Sequence, residues 1–330
     1  MEELLPFYER ELAFLRDYGP EFAKGFPKIA SRLAASADRS EDPNVDRIIQ
    51  SFALLTSRIS KKLDDDYPEF TEALLEILYP HYLRPFPSCT IARFEAEAAL
   101  EVLQEGGKPV VVKRGIELTT QPAAHGIPCR FRTCYEVTLA PVRIADVVFH
   151  PALSVPAGTV LPKDATCSLS ISVEAVQGQV PLHALGLDRL RVFIDAEASL
   201  ATALTDALFL RTAAVFIEPD RCGQWTPLNA PILHEVGFDE ADALIELPAR
   251  AHPAYRFLTE YFAYPEKFNF FDIDWATAAR FAQSQQTLTI HLVMRGLRAD
   301  SPTARMLEAV TSRNLQLGCT PVINLFASKG

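Results

Sequence analysis

Acidic residues are the side chains whose spacing comes nearest to a chemical site in this sequence. Asp272 and Asp274 are separated by one residue, and three consecutive aspartates occupy positions 64–66. Carboxylate oxygens are ligands that Mg²⁺ and Ca²⁺ accept. Consecutive aspartates on a helix point in different directions, however, and no nucleotide-binding sequence accompanies the Asp272 motif. The sequence therefore predicts no metal site.

Histidines and cysteines form no zinc-binding or catalytic pattern. The seven histidines do not pair at helical spacing, and the six cysteines are scattered without a Cys-x-x-Cys motif. A glycine-rich phosphate loop, a His-Glu-x-x-His motif and a Gly-x-Ser-x-Gly motif are all missing from the sequence. These observations predict reduced thiols, no catalytic residue, no cofactor, and a protein that is not an enzyme.

Aromatic residues are concentrated in the stretch 255–273, which contains eight of them in a chain that is 10% aromatic. Their spacing predicts a helix that ends at Pro265, followed by a strand over 268–273. Because this helix would be apolar most of the way round, we expect it to be buried. The strand should be covered on both faces. Phe262 and Phe270 are therefore both predicted to be buried.

The same stretch also allows an alternative function. Aromatic side chains can line a sugar site, so 255–273 could serve a carbohydrate-binding or glycan-acting β-module together with Asp272, Asp274 and His252. That function requires a concave pocket in which these side chains are exposed together. Regularly spaced aromatic residues more often form a core, which favours the structural interpretation.

Size and charge restrict the class of protein. A chain of 330 residues is longer than one core usually serves, so two or three domains are expected. The net charge of −10 argues against a nucleic-acid partner. No stretch approaches the roughly 20 apolar residues of a membrane span, and the acidic N-terminus is unlike a secretory signal. The hydrophobic content of 48% is slightly high and indicates a buried interface.

Helical periodicity dominates the first 86 residues. A first helix should stop near Gly19-Pro20, and a second should be interrupted at Gly25 and Pro27. A third should begin at Asp42-Pro43, where an acidic N-cap precedes proline, and end before the aspartates at 64–66. A further helix is expected over 69–78. The repeating apolar residues are Tyr8, Leu12 and Leu15 on the first helix and Val45, Ile48, Ile49, Phe52, Leu55, Ile59 and Leu63 on the third.

These stripes predict an assembly surface. Apolar stripes must be buried for such helices to be stable, and the prolines at 80, 85 and 87 favour an extended connection to the remainder of the chain. Part of the stripes can pack together, and the rest should contact another chain. The predicted partner interface comprises Tyr8, Leu12, Leu15, Val45, Ile49, Phe52, Ile59 and Leu63.

Beyond the proline-rich junction the hydrophobic pattern alternates, which is typical of strands. The sequence predicts an α+β fold: an N-terminal helical segment over 1–86, a β-rich sandwich or barrel-like domain over 87–185, and a mixed α+β domain over 186–330. The last domain should contain strands near 190–195, 214–217, 287–293 and 319–326, and a helix from Ser301 to about Asn314.

Three long phrases resemble one known family. They are YRFLTEYFAYPEKFNFFDIDW, the terminal NLQLGCTPVINLFA, and the N-terminal YERELAFLRDYGPEFAKGFPKIASRL with DPNVDRIIQSFALLTSRISKKLDDDYPEFTEALLEILYPHYLRPFPS. In order and content they are similar to the TssF family, also called VasA or ImpG, of type VI secretion system baseplate subunits. The likeness extends over the whole chain.

The resemblance implies a structural subunit of a baseplate wedge in a contractile, phage-tail-like injection machine. It implies TssG, TssK, TssE and a second TssF copy as partners, with the VgrG spike hub nearby, and a role in sheath and tube assembly and effector delivery. The implied location is cytoplasmic, where the baseplate docks to the inner-membrane complex. Family members continue past the Val-Ile-Asn-Leu-Phe segment, so the resemblance also implies a truncation before a further C-terminal region.

Overall fold

A computed structural model describes residues 2–32, 43–79, 82–95, 109–121, 126, 128–176, 181–247, 251–282 and 285–326. The chain divides into two compact units, Met1–Pro85 and Phe86–Gly330. The second unit spans both of the domains predicted over 87–185 and 186–330. Strands from either side of residue 185 share sheets within it, as the pairing of 89–93 with 319–323 illustrates.

The first unit is helical. A short 3-10 turn, Glu2–Leu4, leads into α1 (Leu5–Gly25), which is followed by α2 (Pro27–Arg32) and α3 (Pro43–Leu78). The predicted interruption at Gly25 and Pro27 is confirmed by the break between α1 and α2. The predicted N-cap Asp42 lies outside the described residues.

Two predicted helix ends are wrong. Pro20 lies inside α1, and both the acidic run 64–66 and Pro68 lie inside α3. A proline removes one backbone hydrogen bond, but Pro68 is exposed, so water can hydrate the carbonyl group left without a donor. The acidic run is accommodated because Lys61 pairs with Asp65 one turn later, with an Nζ–Oδ2 distance of 2.9 Å.

The second unit contains antiparallel sheets with a few helices. Its strands in the described residues are β1 (Cys89–Arg93), β2 (Val110–Val112), β3 (Glu117–Thr119), β4 (Arg130–Thr133), β5 (Val137–Leu139), β6 (Val142–His150), β7 (Ala165–Ala175), β8 (Arg189–Ile194), β9 (Thr212–Pro219), β10 (Thr226–Leu228), β11 (Leu233–Glu235), β12 (Phe270–Asp274), β13 (Thr287–Arg295), β14 (Leu315–Leu317) and β15 (Cys319–Ile323). Its helices are α4 (Ala198–Asp206), α5 (Pro253–Ala263), α6 (Trp275–Ala279) and α7 (Pro302–Leu307).

The strands assemble into three main sheets. Their orders are β1-β15-β4-β3, β10-β9-β13-β7-β6 and β11-β12-β8-β14, and β2 and β5 form a separate pair. Neighbouring strands pair antiparallel throughout the described residues. The barrel-like alternative is wrong for this part of the chain, because each sheet is open and the apolar faces are covered by other sheets and by helices.

The sheet containing β12 lies between two apolar clusters. Phe271 and Ile273 on one face join the larger cluster, which also contains residues of β7, β13, α4 and α6. Phe270 on the other face joins a smaller cluster with Phe193 of β8 and Ile323 of β15. The prediction that this strand is covered on both faces is therefore confirmed. Alternation along the strand sends neighbouring residues into different clusters.

The predicted helix from Ser301 to about Asn314 is shorter than expected. Ser301 caps α7 by accepting a hydrogen bond from the backbone N–H of Ala304, and α7 ends at Leu307. A separate 3-10 turn, Ser312–Asn314, follows it. Leu307 and Val310 are both buried in the larger cluster, so packing is satisfied without a continuous helix.

Candidate interaction surfaces

Five of the predicted interface residues are partly buried by the packing of α1 against α3 within the helical unit. Tyr8, Leu12 and Leu15 on α1 are half-buried, and so are Val45 and Ile49 on α3. Because α1 packs against α3, each helix covers part of the apolar stripe of the other.

Small side chains form the inner face of α3. Ala53 and Ser57, one turn apart, are fully buried. Ser60 follows them and donates a hydrogen bond of 2.9 Å to the Glu11 carboxylate on α1. Small side chains let two helices approach closely. Apart from half-buried residues such as Val45 and Ile49, the larger apolar side chains of α3 remain exposed.

The other three predicted interface residues are exposed. Phe52 keeps 57%, Ile59 60% and Leu63 66% of its surface accessible. We call the exposed series that they belong to the α3 row: Ile48, Phe52, Leu55, Ile59, Leu63, Tyr67, Phe70, Leu74, Ile77 and Leu78. An apolar row of this length, facing water along a helix of 36 residues, is typical of a surface that another protein covers.

The aromatic stretch presents a second exposed surface, contrary to prediction. Phe270 is 2% exposed, so its predicted burial is confirmed. Phe262 is 80% exposed, and its predicted burial is wrong. Helix α5 is therefore not a buried helix, because it turns apolar side chains outward.

The outward surface of α5 continues onto a neighbouring segment. We call the exposed residues Phe238, Tyr255, Leu258, Tyr261 and Phe262 the aromatic face. On α5 they repeat at helical spacing. Ring contacts connect Phe238 through the half-buried Phe268 to Tyr261 and then Phe262, with centroid distances between 5.2 and 6.2 Å. The half-buried Phe257 also contacts Phe238, at 5.9 Å.

The inward face of α5 is charged. Arg256 and Glu260, one turn apart, are buried, and Glu260 forms an ion pair with the fully buried Lys267. The Lys267 ammonium group also donates a hydrogen bond of 3.0 Å to the carbonyl oxygen of Asp242 and lies 4.8 Å from the centre of the Phe268 ring. Burial lowers the pKa of Lys267, and the Glu260 charge opposes that change.

These charged groups form hydrogen bonds with the backbone of the segment 236–247. The segment has little regular structure, although Ala243 and Leu244 are buried, so its carbonyl and N–H groups need partners from side chains. The bonds run from Arg256 to the carbonyl oxygens of Phe238 and Asp239 (both 2.9 Å), from Arg114 to those of Ala241 and Ala243, and from the Leu244 N–H to Glu260 (2.7 Å).

Sequence reasoning missed this charged interior. Arg256 and Glu260 are the charged residues of an otherwise apolar helix, and such a pair at i, i+4 is usually the solvent-facing side. Only the proximity of the 236–247 backbone reverses the orientation. Nothing in the sequence of the helix itself indicates its contact with the 236–247 backbone.

Asp272, Asp274 and His252, the residues of the carbohydrate alternative, have structural partners. Asp272 forms two hydrogen bonds of 2.8 Å with the Arg191 guanidinium group. Asp274 caps α6 by accepting hydrogen bonds from the Thr277 N–H and from the Thr277 hydroxyl group. Burial raises the pKa of Asp274, but these hydrogen bonds outweigh it and lower the pKa below its ordinary value. His252 caps α5 through the Ala254 N–H.

These three side chains do not form one site. Asp272 and Asp274 line a cleft of about 560 Å³ together with Arg189 and Arg191, but His252 is not among its lining residues. None of the residues of the aromatic face lines this cleft either. The convergent pocket that a carbohydrate site requires is therefore not present in the described residues, and no group of three potential ligands for a metal ion occurs there.

A polar network that the sequence analysis did not identify lies on the five-stranded sheet. His291 on β13 contacts Ser170 on β7 through Nδ1 and Glu218 on β9 through Nε2, both at 2.8 Å, and Trp225 stacks on its ring at 3.9 Å. Ser170 pairs with residues on both neighbouring strands, so its backbone is committed to the sheet.

The comparison with known families tests the resemblance seen in the sequence. The family model described as Type VI secretion system, TssF, matches residues 1–330. The chain belongs to the TssF family. The resemblance seen in the sequence is thereby confirmed, and neither the family nor the relatives below support a carbohydrate-binding module.

Two relatives of known identity are similar to this TssF family member. The Type VI secretion system component TssF1 of Pseudomonas aeruginosa is 35% identical over 328 residues, which cover 98% of this chain and 51% of that protein. A chain in the solved TssK-TssF-TssG baseplate subcomplex of the type VI secretion system is 28% identical with a TM-score of 0.63, covering 85% of this chain and 49% of that one.

The chain spans about half the length of both of these TssF family relatives. None of the helices in the described residues combines the length and the apolar character needed to cross a membrane.

Proposed function

We propose that this chain is a structural part of the type VI secretion baseplate wedge and has no catalytic role of its own. The α3 row is the observation that carries the proposal. A member of the TssF family that keeps an apolar row exposed along a long helix has the surface that assembly with other subunits requires.

The proposed partners are TssG and TssK, which the solved subcomplex of the structural relative contains together with TssF. We extend the proposal to TssE, to a second copy of TssF, and to a position near the VgrG hub. In that assembly the chain supports sheath and tube assembly and effector delivery. It is cytoplasmic and reaches the inner-membrane complex through the baseplate, without inserting into the membrane itself.

The proposed contact is divided between the two groups of predicted interface residues. The half-buried Tyr8, Leu12, Leu15, Val45 and Ile49 hold α1 against α3 and keep the row straight. Phe52, Ile59 and Leu63 contact the partner. Burial of large apolar side chains at the centre of an interface contributes most of the binding free energy, so Phe52 and Ile59 are the positions to test.

The test is co-purification of the full chain with its cognate TssG. The double variant Phe52→Asp, Ile59→Asp should abolish recovery of TssG and of a second tagged copy, because a buried unpaired charge costs several kcal/mol. The fold should be retained, since both side chains are exposed in the free chain. Circular dichroism of the variant alone checks this.

A matched control places the same charges elsewhere. Val160 and Leu210 are also large, exposed apolar residues, but they lie in the second unit. Val160→Asp, Leu210→Asp should leave TssG recovery unchanged. If Phe52→Asp, Ile59→Asp recovers as much TssG as the original chain, the α3 row is not part of the TssG interface.

A further inference from the structure

A cleft of about 710 Å³ in the second unit brings three arginines together, and we call it the arginine cleft. Arg114 comes from the turn between β2 and β3, Arg132 from β4 and Arg256 from α5, and all three line the cleft. Cys134 lines it too. Burial raises the pKa of the Cys134 thiol to about 11, and the charges of Arg114 and Arg132 oppose that rise. Positive charge is therefore concentrated at this cleft, although the chain as a whole carries a net charge of −10.

These arginines have no carboxylate partner. In the described parts of the chain, none of the three lies within ion-pair distance of an acidic side chain. Arg114 and Arg256 donate hydrogen bonds to backbone carbonyl groups of the segment 236–247. A carbonyl oxygen carries only a partial negative charge, so the charge of Arg256, which is 7% exposed, is not neutralised. Buried charges are usually paired, and this one lacks its anion.

The acids of the arginine cleft do not replace that anion. Glu240 and Glu246 line the cleft, but both are exposed. Water and salt screen an exposed charge more strongly than a buried one, so these glutamates compensate Arg256 poorly. The buried Glu260 on α5 is already paired with Lys267. An anionic group that entered the cleft would therefore be attracted to it.

Apolar side chains form the other walls of the arginine cleft. Leu244, Phe238 and Phe257 line it beside the arginines, and the Arg256 guanidinium group lies 4.6 Å from the centre of the Phe257 ring. A fitting ligand thus combines an anionic group with apolar groups. Phe238 also belongs to the aromatic face, so the apolar surface continues beyond the cleft. A chain segment can cover this continuation, whereas a small molecule would fill the cleft alone.

The net charge of the chain restricts the source of the anionic group. A charge of −10 repels nucleic acid and anionic membranes, whose negative charge extends far beyond one cleft. A short peptide with single carboxylates is repelled far less. We propose that the arginine cleft binds a peptide segment of a partner protein in which a carboxylate side chain adjoins an apolar one.

Arg132 is the arginine that we assign to the carboxylate. Its guanidinium group forms no hydrogen bond within the described residues, so its donors are free for a ligand. A planar guanidinium group can bind a carboxylate through two parallel hydrogen bonds. This site goes beyond the proposed wedge contact, because the arginine cleft lies in Phe86–Gly330 and the α3 row in Met1–Pro85.

The test is isothermal titration calorimetry on the full chain carrying Phe52→Asp and Ile59→Asp, so that the result does not depend on the α3 row. The probe is a short peptide of alternating glutamate and leucine. One control peptide has glutamine in place of glutamate, and the other has serine in place of leucine. The glutamate–leucine peptide should bind, and each control should bind roughly tenfold or more weakly.

Matched variants locate the site. In the same background, Arg132→Gln should weaken binding of the glutamate–leucine peptide by roughly tenfold or more. Arg130→Gln removes the same charge from the same strand, outside the cleft, and should not. Phe238→Ser should also weaken binding, whereas Leu210→Ser, at an exposed apolar residue elsewhere in the unit, should not. Circular dichroism verifies that each variant is folded.

Four results would overturn the proposal. They are failure of the glutamate–leucine peptide to bind, equal binding of the glutamine control, binding that Arg132→Gln leaves intact, and equal weakening by Arg130→Gln, which would indicate non-specific attraction to surface charge. Equal binding of the serine control would also contradict it, because the cleft would then accept a simple anion without the apolar part of the segment.

Discussion

Phe270 and Phe262 belong to one aromatic stretch but lie in opposite environments. The Phe270 ring packs between Phe193 and Tyr135, at centroid distances of 4.8 and 5.3 Å. Phe262 contacts Tyr261 at the surface. The energetic consequence of losing an aromatic ring depends on whether a cavity remains, so the two positions should respond very differently to truncation.

We expect Phe270→Ala to lower the free energy of unfolding by about 3 to 5 kcal/mol, because the cavity cannot close between two sheets. Phe262→Ala should change it by no more than about 0.5 kcal/mol. Urea denaturation followed by circular dichroism measures both. Similar losses for the two variants would mean that α5 is buried after all.

His291 makes stability depend on pH. Burial lowers its pKa below the ordinary value of 6.5, Glu218 opposes this, and the charge of His150 adds to it. The unfolded chain therefore binds a proton at a higher pH than the folded chain does. As pH falls below 6.5, the unfolded state takes up the proton first, and the free energy of unfolding should decrease until the folded-state pKa is reached.

The variant His291→Gln should lose this contribution. The difference in unfolding free energy between the original chain and the variant should shrink as pH falls from about 7 to about 5. His183→Gln, at an exposed histidine, is the matched control and should leave the pH dependence unchanged. An NMR titration in which His291 protonates above pH 6.5 would contradict the expected direction.

At the scale of elements, α5 and the segment 236–247 depend on each other. The helix supplies Arg256 and Glu260, and the 3-10 turn after it supplies Lys267. Each side chain bonds backbone groups of the segment. The segment in turn gives these charges the partners that allow them to be buried. A change to one charge should therefore disturb an irregular segment far from it in sequence.

Lys267→Met should destabilise the chain by about 3 to 5 kcal/mol, because Glu260 would be left buried without its cation. Hydrogen exchange should increase first at the Leu244 and Ile245 amides, which contact the Glu260 carboxylate. The double variant Glu260→Gln, Lys267→Met should recover part of the loss. If Lys267→Met leaves the free energy of unfolding unchanged, the Glu260–Lys267 ion pair does not stabilise the segment 236–247.

At the scale of the whole molecule, the two units differ in how they are stabilised. All residues of the two apolar clusters lie in Phe86–Gly330. In the described residues of Met1–Pro85, Ala30 and Ala53 are the buried apolar residues, while large apolar side chains remain exposed. The second unit therefore contains its own cores, whereas the described residues of the first unit keep large apolar side chains exposed.

We expect residues 86–330 to fold when expressed alone. Cooperative urea unfolding and a near-ultraviolet circular dichroism signal would show this, because both clusters would be complete. Residues 1–85 alone should not show comparable cooperativity, since their apolar surface lacks a core of this kind. If 86–330 expressed alone were molten or insoluble, its cores would depend on the first unit.

Local pattern was sufficient for much of the architecture. The break at Gly25 and Pro27, the start of α3 at Pro43 and the two-sided burial of β12 follow from rules that act within a few residues. Proline at the first helical position, glycine before a break and alternation along a strand are local constraints. The family resemblance was also recognisable from the sequence, because it rests on long stretches of residues in a fixed order and does not require their structural roles to be known.

Tertiary structure decided which side of each helix is covered. The continuity of α1 through Pro20 and of α3 through Pro68 depends on neighbouring turns, because a long helix can absorb the loss of one hydrogen bond. The orientation of α5 depends on the buried backbone of 236–247, whose polar groups bond Arg256, Glu260 and Lys267. These contacts place the charged face of the helix inward and leave Phe262 exposed. Periodicity separates the faces of a helix, but only the partner that packs against them determines which face is buried.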